Sequence, residues 1–212
     1  LIKETPLVSN ANDNYLAEFS PDGKKLAFVE GRRTIKVKDI ASGAETTLLG
    51  ADDLYHMRDG DKYFKWSPDS KWLLIGWSPT LSNSEVLLMS ADGKKRVNLT
   101  ESGYGDYTPK WVNGGKQMIW RSNRNGLKSY ATSGSSQTDV YAMFFTQDSW
   151  DKFNLNKEDY DLMKEMGKAK KKDDKKTEKK DTSKTKKTED LKFDWDGMED
   201  RKTRLTIHSS SL

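Results

Sequence analysis

The chain has 212 residues, of which 33% are hydrophobic and 33% are charged, with no cysteine and a net charge of +4. This composition excludes a disulfide framework and a cysteine nucleophile, and no apolar run approaches the roughly 18–20 residues of a membrane helix. The charge is uneven, because residues 168–187 carry 11 Lys and 4 acidic residues, whereas the remainder has 26 basic and 29 acidic residues.

Period-two patterning predicts a first four-stranded unit over residues 14–50. Tyr15, Ala17 and Phe19 alternate with their neighbours, and Pro21-Asp22-Gly23 forms a turn before the chain returns. Proline presets φ, aspartate binds its own backbone and glycine accepts positive φ, so this tripeptide favours a tight turn. The four predicted strands cover residues 14–19, 25–30, 34–40 and 45–49.

A second unit is predicted over residues 51–100, with strands at 63–66, 71–77, 85–90 and 96–100. A third unit has strands at 107–111, 117–122 and 139–146, but its fourth strand is missing at the expected distance. We place that strand at 202–208, which divides the third unit into residues 101–146 and 201–212. The insertion of residues 147–200 is tolerable because the entropy of loop closure grows slowly with length.

The units are copies of one another. Phe19-Ser20-Pro21-Asp22-Gly23 returns as Trp66-Ser67-Pro68-Asp69-Ser70 after 47 residues, and a degenerate copy begins at Trp111 after a further 45. Self-similarity at this period predicts an all-β fold, a β-propeller fragment of about three four-stranded antiparallel blades. Residues 1–13 are then predicted to hold the outer strand of a preceding blade, at 1–8.

The insertion has two halves. Asn156 and the acids that follow it predict a helix start, and Tyr160, Met163 and Met166 form an apolar stripe at helical spacing. Residues 168–190 contain almost nothing apolar, so we expect disorder or a frayed helix there. The lysines could attract nucleic acid, but no arginine or aromatic side chain accompanies them, and we favour a solvated loop.

The repeats resemble a known family. Strand pairs of the Trp-Ser-Pro-Asp type, followed by Trp120-Arg121-Ser122-Asn123-Arg124-Asn125-Gly126 and then Asp139-Val140-Tyr141-Ala142-Met143, resemble TolB-type propeller repeats. The ending Trp195-Asp196-Gly197-Met198-Glu199-Asp200-Arg201 resembles a junction of the tricorn-like proteases, where an acidic stretch leads into a blade's outer strand. A Lys-rich insertion before that stretch also fits bacterial members of the group.

The resemblance implies a parent protein with further propeller blades, a PDZ-like domain and a serine peptidase core of the C-terminal-processing type. In that group the propellers guide or gate peptides and unfolded polypeptides. The resemblance implies a parent in the periplasm or the cell envelope, with a cytoplasmic location as the open alternative. It also leaves open that the parent forms a homo-oligomer. No catalytic residue can be carried over to this chain. The alternative from another class is a TolB-like propeller that acts as a protein-interaction scaffold without enzymatic activity.

Few residues suggest chemistry. His56 and His208 have no placed partners, and neither a metal site nor a cofactor is predicted. Five residues before each repeated aromatic stand polar residues that could ring the mouth of a central channel, although turn chemistry explains the same residue types. Arginine suits a bidentate grip on a peptide carboxylate, although a surface role is the competing interpretation. The candidate peptide contacts are Asn14, Arg58, Asp61, Asp106, Tyr107, Arg121 and Arg124.

Overall fold

The computed structural model describes residues 4–53, 55, 63–81, 83–129, 136–174 and 189–211, without the side chains of residues 168–174. Strands dominate these residues and form three four-stranded antiparallel sheets. In each sheet the spatial order of the strands follows the chain, as in a propeller blade. The predicted all-β class and the three blades are therefore confirmed.

The strands are short and closely spaced. Blade one contains β1 (Asn14–Phe19), β2 (Lys25–Glu30), β3 (Thr34–Asp39) and β4 (Glu45–Leu49). Blade two contains β5 (Phe64–Trp66), β6 (Trp72–Thr80), β7 (Asn83–Ser90) and β8 (Arg96–Asn98). Blade three contains β9 (Asp106–Val112), β10 (Gln117–Ser122), β11 (Asp139–Phe144) and β12 (Lys202–Arg204).

The outer strands of blades two and three end earlier than the sequence predicts. Strand β8 stops at Asn98 because Thr100 turns inward to bind Glu85, and β12 stops at Arg204 because Thr206 turns inward to bind Asp139. Residues 4–13 form no strand. Because no sheet within the described residues offers them a partner, the outer strand of a preceding blade stays a prediction.

Three turns of one kind close the hairpins. In each, a serine hydroxyl donates to an aspartate two residues on, and that carboxylate accepts a backbone N–H two residues further. The serine oxygen also accepts the N–H of the residue that begins the return strand or precedes it, at 2.9 Å. The Ser-Pro-Asp phrase is thus a hydrogen-bonded turn in blades one and two. The serine–aspartate pairs are Ser20–Asp22, Ser67–Asp69 and Ser90–Asp92.

The hydrophobic core lies between the blades. One cluster joins blade one to blade two, around Trp66, and a second joins blade two to blade three, around Trp120. Blade two contributes to both, because Leu73 and Ile75 of β6 face the first cluster and Leu74 faces the second. The tryptophans are therefore mainly contacts between blades, as predicted.

A hydrogen bond repeats at each blade junction. The indole N–H of Trp66 donates to the carbonyl of Glu18 at 3.0 Å, and that of Trp111 donates to the carbonyl of Lys65 at 3.0 Å. Each acceptor directly precedes the anchor aromatic of the preceding blade. The repeated aromatic position therefore sets the register of one blade against the next.

The insertion lies between β11 and β12, as predicted. It contains α1 (Gln147–Asn154), which begins at the Thr146 cap, and α2 (Lys157–Asp174). The predicted disorder of residues 168–190 falls largely on residues outside the described part of the chain and stays a prediction, although α2 reaches Asp174. No helix in the described ranges is long and apolar enough to cross a bilayer.

Residues 189–200, here called the return segment, bring the chain back to the sheet. Phe193 packs against Trp72 of blade two, with ring centroids 4.9 Å apart, and against Phe145 of blade three at 5.1 Å. Lys95 lies over the ring of Trp195 at 3.2 Å. The return segment therefore contacts both blade two and blade three.

Replacing Trp66 by phenylalanine tests the repeated hydrogen bond between blades. The substitution keeps an aromatic ring but removes the donor to Glu18, so the free energy of unfolding should fall by about 1 kcal/mol beyond any packing loss. Trp150→Phe is the control, because the indole N–H of Trp150 has no hydrogen-bond partner within the described residues. Equal losses in urea unfolding of the two variants would contradict the assignment.

Gly115→Ala tests the close passage of the return segment. Gly115 has φ +89°, and a Cβ there would lie 2.6 Å from Leu191 Cδ2 and 3.1 Å from Pro68 Cδ. Gly114→Ala is the matched control, since Gly114 has φ +66° and open space around its Cα. Both should lose about 1 kcal/mol for the left-handed backbone, and Gly115→Ala should lose a further 1–3 kcal/mol by thermal unfolding.

Candidate functional site

Four of the seven predicted contact residues lie where β9 begins, with Asp106 and Arg124 in contact and Tyr107 and Arg121 opposite each other on neighbouring strands. The register places Asp106 of β9 and Asp139 of β11 on either side of Ser122 of β10, and Tyr107 opposite Arg121. Tyr104 and Lys128 lie beside them on the flanking loops. We call this group the blade-three cluster; it consists of Tyr104, Asp106, Tyr107, Arg121, Arg124 and Lys128.

Asp106 is the buried centre of the cluster. Its carboxylate accepts the indole N–H of Trp120 at 2.7 Å and the hydroxyl of Ser102. Arg124 Nη2 lies 3.4 Å from Oδ1 and 3.5 Å from Oδ2. A buried carboxylate is costly unless it is paired and hydrogen-bonded, and these three donors supply that compensation. Asp106 therefore holds the cluster together from below.

Arg124 links the buried carboxylate to the surface. Its Nε donates to Ser122 Oγ at 3.1 Å, and its guanidinium lies 4.8 Å from the ring centroid of Tyr141 and 6.0 Å from that of Tyr104. Nη1 forms no hydrogen bond within the described residues, and the side chain is 16% exposed. Burial raises the pKa of Tyr141, which keeps this ring neutral beside Arg124.

The loop that carries Tyr104 is held by a second buried acid. Glu85 of β7 accepts the Thr100 hydroxyl and the backbone N–H groups of Ser102 and Gly103, the last at 3.1 Å. Tyr104, which follows directly, is partly exposed, and Lys128 Nζ lies 4.4 Å from its ring centroid. Glu85 thereby fixes an aromatic surface with a cation on it.

Tyr107 covers a glycine. A Cβ on Gly105 would collide with the phenol ring of Tyr107, so only glycine lets the ring lie there. The Gly105 carbonyl accepts the backbone N–H of Asn123 at 3.1 Å, and the Asn123 side chain accepts the Gly105 N–H at 3.0 Å. The two loops of the cluster are thus joined directly at Gly105.

Asp139 closes the same end of the sheet. Its fully buried carboxylate accepts hydrogen bonds from Arg204 Nε at 2.9 Å, Thr206 Oγ1 at 2.7 Å and Ser209 Oγ at 2.8 Å. Burial alone would raise the pKa of Asp139, but the bonds from Thr206, Ser209 and Arg204 outweigh it and hold the pKa below the usual value. Asp139 is therefore ionised at neutral pH and ties the chain after β12 to the blade.

The arrangement leaves a cationic and aromatic surface. Asp139 is paired with Arg204 and Asp106 with Arg124, whereas Lys128 lies over the ring of Tyr104. Guanidinium and ammonium groups beside aromatic rings suit a carboxylate or an aromatic side chain as ligand. Within the described ranges, no group of three or more His, Cys, Asp or Glu side chains is placed to hold a metal ion.

The remaining predicted residues lie elsewhere or cannot be placed. Asn14 is exposed in blade one, where its amide donates to Asn10 Oδ1 at 2.8 Å and to the Asn12 carbonyl at 2.9 Å, a local turn role. Arg58 and Asp61, like His56, lie outside the described residues. Contact of any of these positions with a peptide stays a prediction, as it does for the four cluster residues.

The sequence reading missed the acids that support the cluster. Glu85-Val86 in the third strand of blade two and Asp139-Val140 in that of blade three both place an acid directly before an apolar run. An acid that recurs at one position of a repeat, next to a buried strand, could have been recognised as structural. The hydrogen-bond partners of these acids could not have been recognised in the sequence, because Ser209 is 70 residues from Asp139.

No family model matches the sequence, and no curated protein is significantly similar to it. Among solved structures, the tricorn protease aligns with 95% of this chain and 18% of its own, at a TM-score of 0.58 and 14% identity. TolB from Acinetobacter baumannii aligns with 66% of this chain and 32% of its own, at a TM-score of 0.48 and 22% identity. A structure described as TolB from Agrobacterium tumefaciens aligns with 65% of this chain and 47% of its own, at a TM-score of 0.44 and 23% identity. The chain thus spans less than half of each. The tricorn likeness establishes the propeller fold alone.

Ser209→Ala tests the role of the Asp139 carboxylate through pH. Because the folded pKa of Asp139 is lowered, its contribution to stability is complete above the ordinary value of 3.8 and is lost as the pH falls through the folded value. Removing one donor should cost about 1 kcal/mol at pH 7 and move this acid-induced loss to higher pH.

The measurement is the free energy of unfolding between pH 7 and pH 2. The gap between the wild type and Ser209→Ala should close at the acidic end, where the carboxyl is protonated in both. Ser211→Ala, two residues further on, is the control and should follow the wild-type curve. A gap that stays constant with pH would mean that Ser209 acts independently of the ionisation of Asp139.

Proposed function

We propose that this chain is the non-catalytic propeller portion of a tricorn-like serine peptidase, which guides or gates peptides towards a peptidase core outside this chain. The observation that carries the proposal is the junction formed by residues 194–204. Its Asp-Gly-x-Glu-Asp-Arg stretch is the part of the sequence that resembles the protease group most specifically.

Each part of that junction has a structural role. Gly197 adopts φ +62° before a 3-10 turn, Met198–Asp200, and Arg201 is buried behind it. Arg201 donates to the carbonyls of Phe144 at 3.2 Å, Asp196 at 2.9 Å and Asp194. The arginine thus fastens the end of the insertion to β11, directly before β12. This supports the resemblance, because the motif works here as the device that returns an insertion to its blade.

Further blades are part of the proposal. On the outer face of blade one, Phe19 is 51% exposed and Leu16 is 40% exposed, although Trp66 at the position equivalent to Phe19 is buried. A preceding blade would cover these side chains as blade one covers Trp66. In this proposal, the three blades consist of residues 14–50, residues 51–100, and residues 101–146 together with 201–212, and the insertion consists of residues 147–200. A PDZ-like domain and the peptidase core lie elsewhere in the parent protein, which is located in the periplasm or the cell envelope.

The blade-three cluster is the proposed peptide contact. The Nη1 of Arg124, which forms no hydrogen bond within the described residues, and the exposed ring of Tyr104 offer a carboxylate a guanidinium group beside an aromatic surface. Tyr107 and Arg121 are proposed as contacts on the other face of the same strands. Asn14, Arg58 and Asp61 are proposed as contacts from the other blades, at the positions related by the repeat.

Arg124→Lys tests this assignment in the full-length protein. The lysine keeps the charge facing Asp106 but loses the fork that binds a carboxylate through two donors. Cleavage of a short peptide with a free C-terminus should lose about tenfold in kcat/KM, whereas the same peptide with a C-terminal amide should be unaffected. Arg96→Lys in blade two, where Arg96 pairs with Asp53, is the control.

Two outcomes would contradict different parts of the proposal. A parent sequence without a peptidase core, combined with stable capture of a protein by the propeller, would favour the TolB-like interaction scaffold. Cleavage that falls equally for the free and the amidated peptide would remove the cluster from peptide recognition while leaving the peptidase assignment intact.

A further inference from the structure

A cleft of about 300 Å³ lies at the opposite end of β9 from the blade-three cluster. It separates the turn between β9 and β10 from the helices of the insertion. This volume is at the lower end of the range for ligand pockets. The residues used below come from that turn (Asn113, Lys116 and Gln117), from α1 (Lys152 and Phe153) and from α2 (Tyr160).

Helix α1 and the turn between β9 and β10, which face each other across the cleft, are both held in place. Phe153 packs on Phe144 of β11 with ring centroids 4.7 Å apart, and the Gln147 N–H at the start of α1 donates to Asp194 Oδ2 at 2.8 Å. On the other wall, Asn113 donates to Gln117 Oε1 at 2.7 Å. A preformed site loses little conformational entropy when a ligand binds.

The helical wall is aromatic and accessible. Phe153 is 46% exposed and Tyr160 is 40% exposed. Aromatic rings attract other rings in offset or edge-on contact. A cavity of about 150 Å³ can already hold a benzene ring, so this cleft has room for one aromatic side chain and part of its backbone.

The charge of the cleft is positive. Lys152 pairs with Asp148 at 2.6 Å, so these two neutralise each other. The ammonium of Lys116 has no acidic partner within the described part of the chain, and Lys164 Nζ lies 4.6 Å from the ring centroid of Tyr160, which leaves two uncompensated cations near the aromatic wall. A carboxylate next to the bound ring would complement them.

We propose that this cleft binds an aromatic side chain from an acidic segment of a polypeptide. The ring lies against Phe153 and Tyr160, and a neighbouring carboxylate pairs with Lys116, while Asn113 and Gln117 face the peptide backbone. The cleft is partly open to solvent, so a bound chain can continue beyond it. The site is separate from the blade-three cluster and does not depend on the proposed function.

The test is a fluorescence-anisotropy titration of the full-length protein with a dye-labelled Glu-Phe-Glu-Gly-Gly peptide that ends in an amide. The amide removes the terminal carboxylate that the blade-three cluster would bind. We expect saturable binding with a Kd of about 0.1–1 mM, as is typical of a single anchored side chain. The Glu-Ala-Glu and Lys-Phe-Lys counterparts should bind at least about tenfold more weakly.

Two substitutions locate the site. Lys116→Gln and Tyr160→Ala should each weaken binding of the Glu-Phe-Glu peptide by about three- to tenfold without changing the melting temperature, because both side chains are at the surface. Lys94→Gln and Tyr55→Ala, at exposed positions in blade two and before it, are the matched controls and should bind as the wild type does.

Several results would overturn the proposal. Absence of saturation at peptide concentrations of about 10 mM would show that the cleft takes no such ligand. Equal binding of the Lys-Phe-Lys peptide, or no effect of Lys116→Gln, would exclude the acidic ligand. Equal losses in the control variants would place the binding elsewhere on the protein.

Discussion

Burial of blade two on both faces is the constraint on which the rest of the structure depends. Alternate residues of β6 and β7 face opposite neighbours, so Leu87 and Met89 pack towards blade one while Val86 and Leu88 pack towards blade three. A four-stranded sheet with two apolar faces cannot be stable in water alone, and each blade therefore needs a neighbour on either side. The indole bonds of Trp66 and Trp111 then select one register from the many that apolar packing would allow.

The packing of the blades places the buried acids Glu85 and Asp139 at the ends of the strands. Because both faces of blade two are occupied, its buried acid Glu85 is satisfied at the end of the strands, where the following loop supplies donors. Glu85 and Asp139 occupy the same position in successive blades, and each binds the chain that leaves its outer strand. These carboxylates replace the last rungs of the sheet, which is why β8 and β12 are only three residues long. The loop that Glu85 fixes is the one that presents Tyr104.

Features that depend on neighbouring residues could be predicted from the sequence, whereas features that depend on the folded blade could not. Strands β2, β4 and β10 begin and end at the predicted residues, because alternation and turn chemistry act within a few neighbours. The pairing of Asp106 with Arg124, 18 residues apart, depends on a bulge in β9 between Tyr107 and Lys110 and on the Ser102 hydroxyl. Arginine and aspartate were recognisable as candidates, but their burial and mutual orientation follow from the folded blade.

Blade three differs from the others because it carries specialised groups at both ends. At one end, buried acids hold cations against aromatic rings, and at the other the insertion builds a cleft on the turn between β9 and β10. Strand β9 connects them, and its bulge includes Thr108 at φ +49°, a strained conformation for a β-branched residue. Leu16, at the same position of β1, has φ +53°. The strained bulge thus recurs three residues before the anchor aromatic. It is tolerated because the packing of the blades on either side determines the path of the strand. At the bulge, the backbone N–H and C=O groups of the innermost strand leave the regular pairing of the sheet.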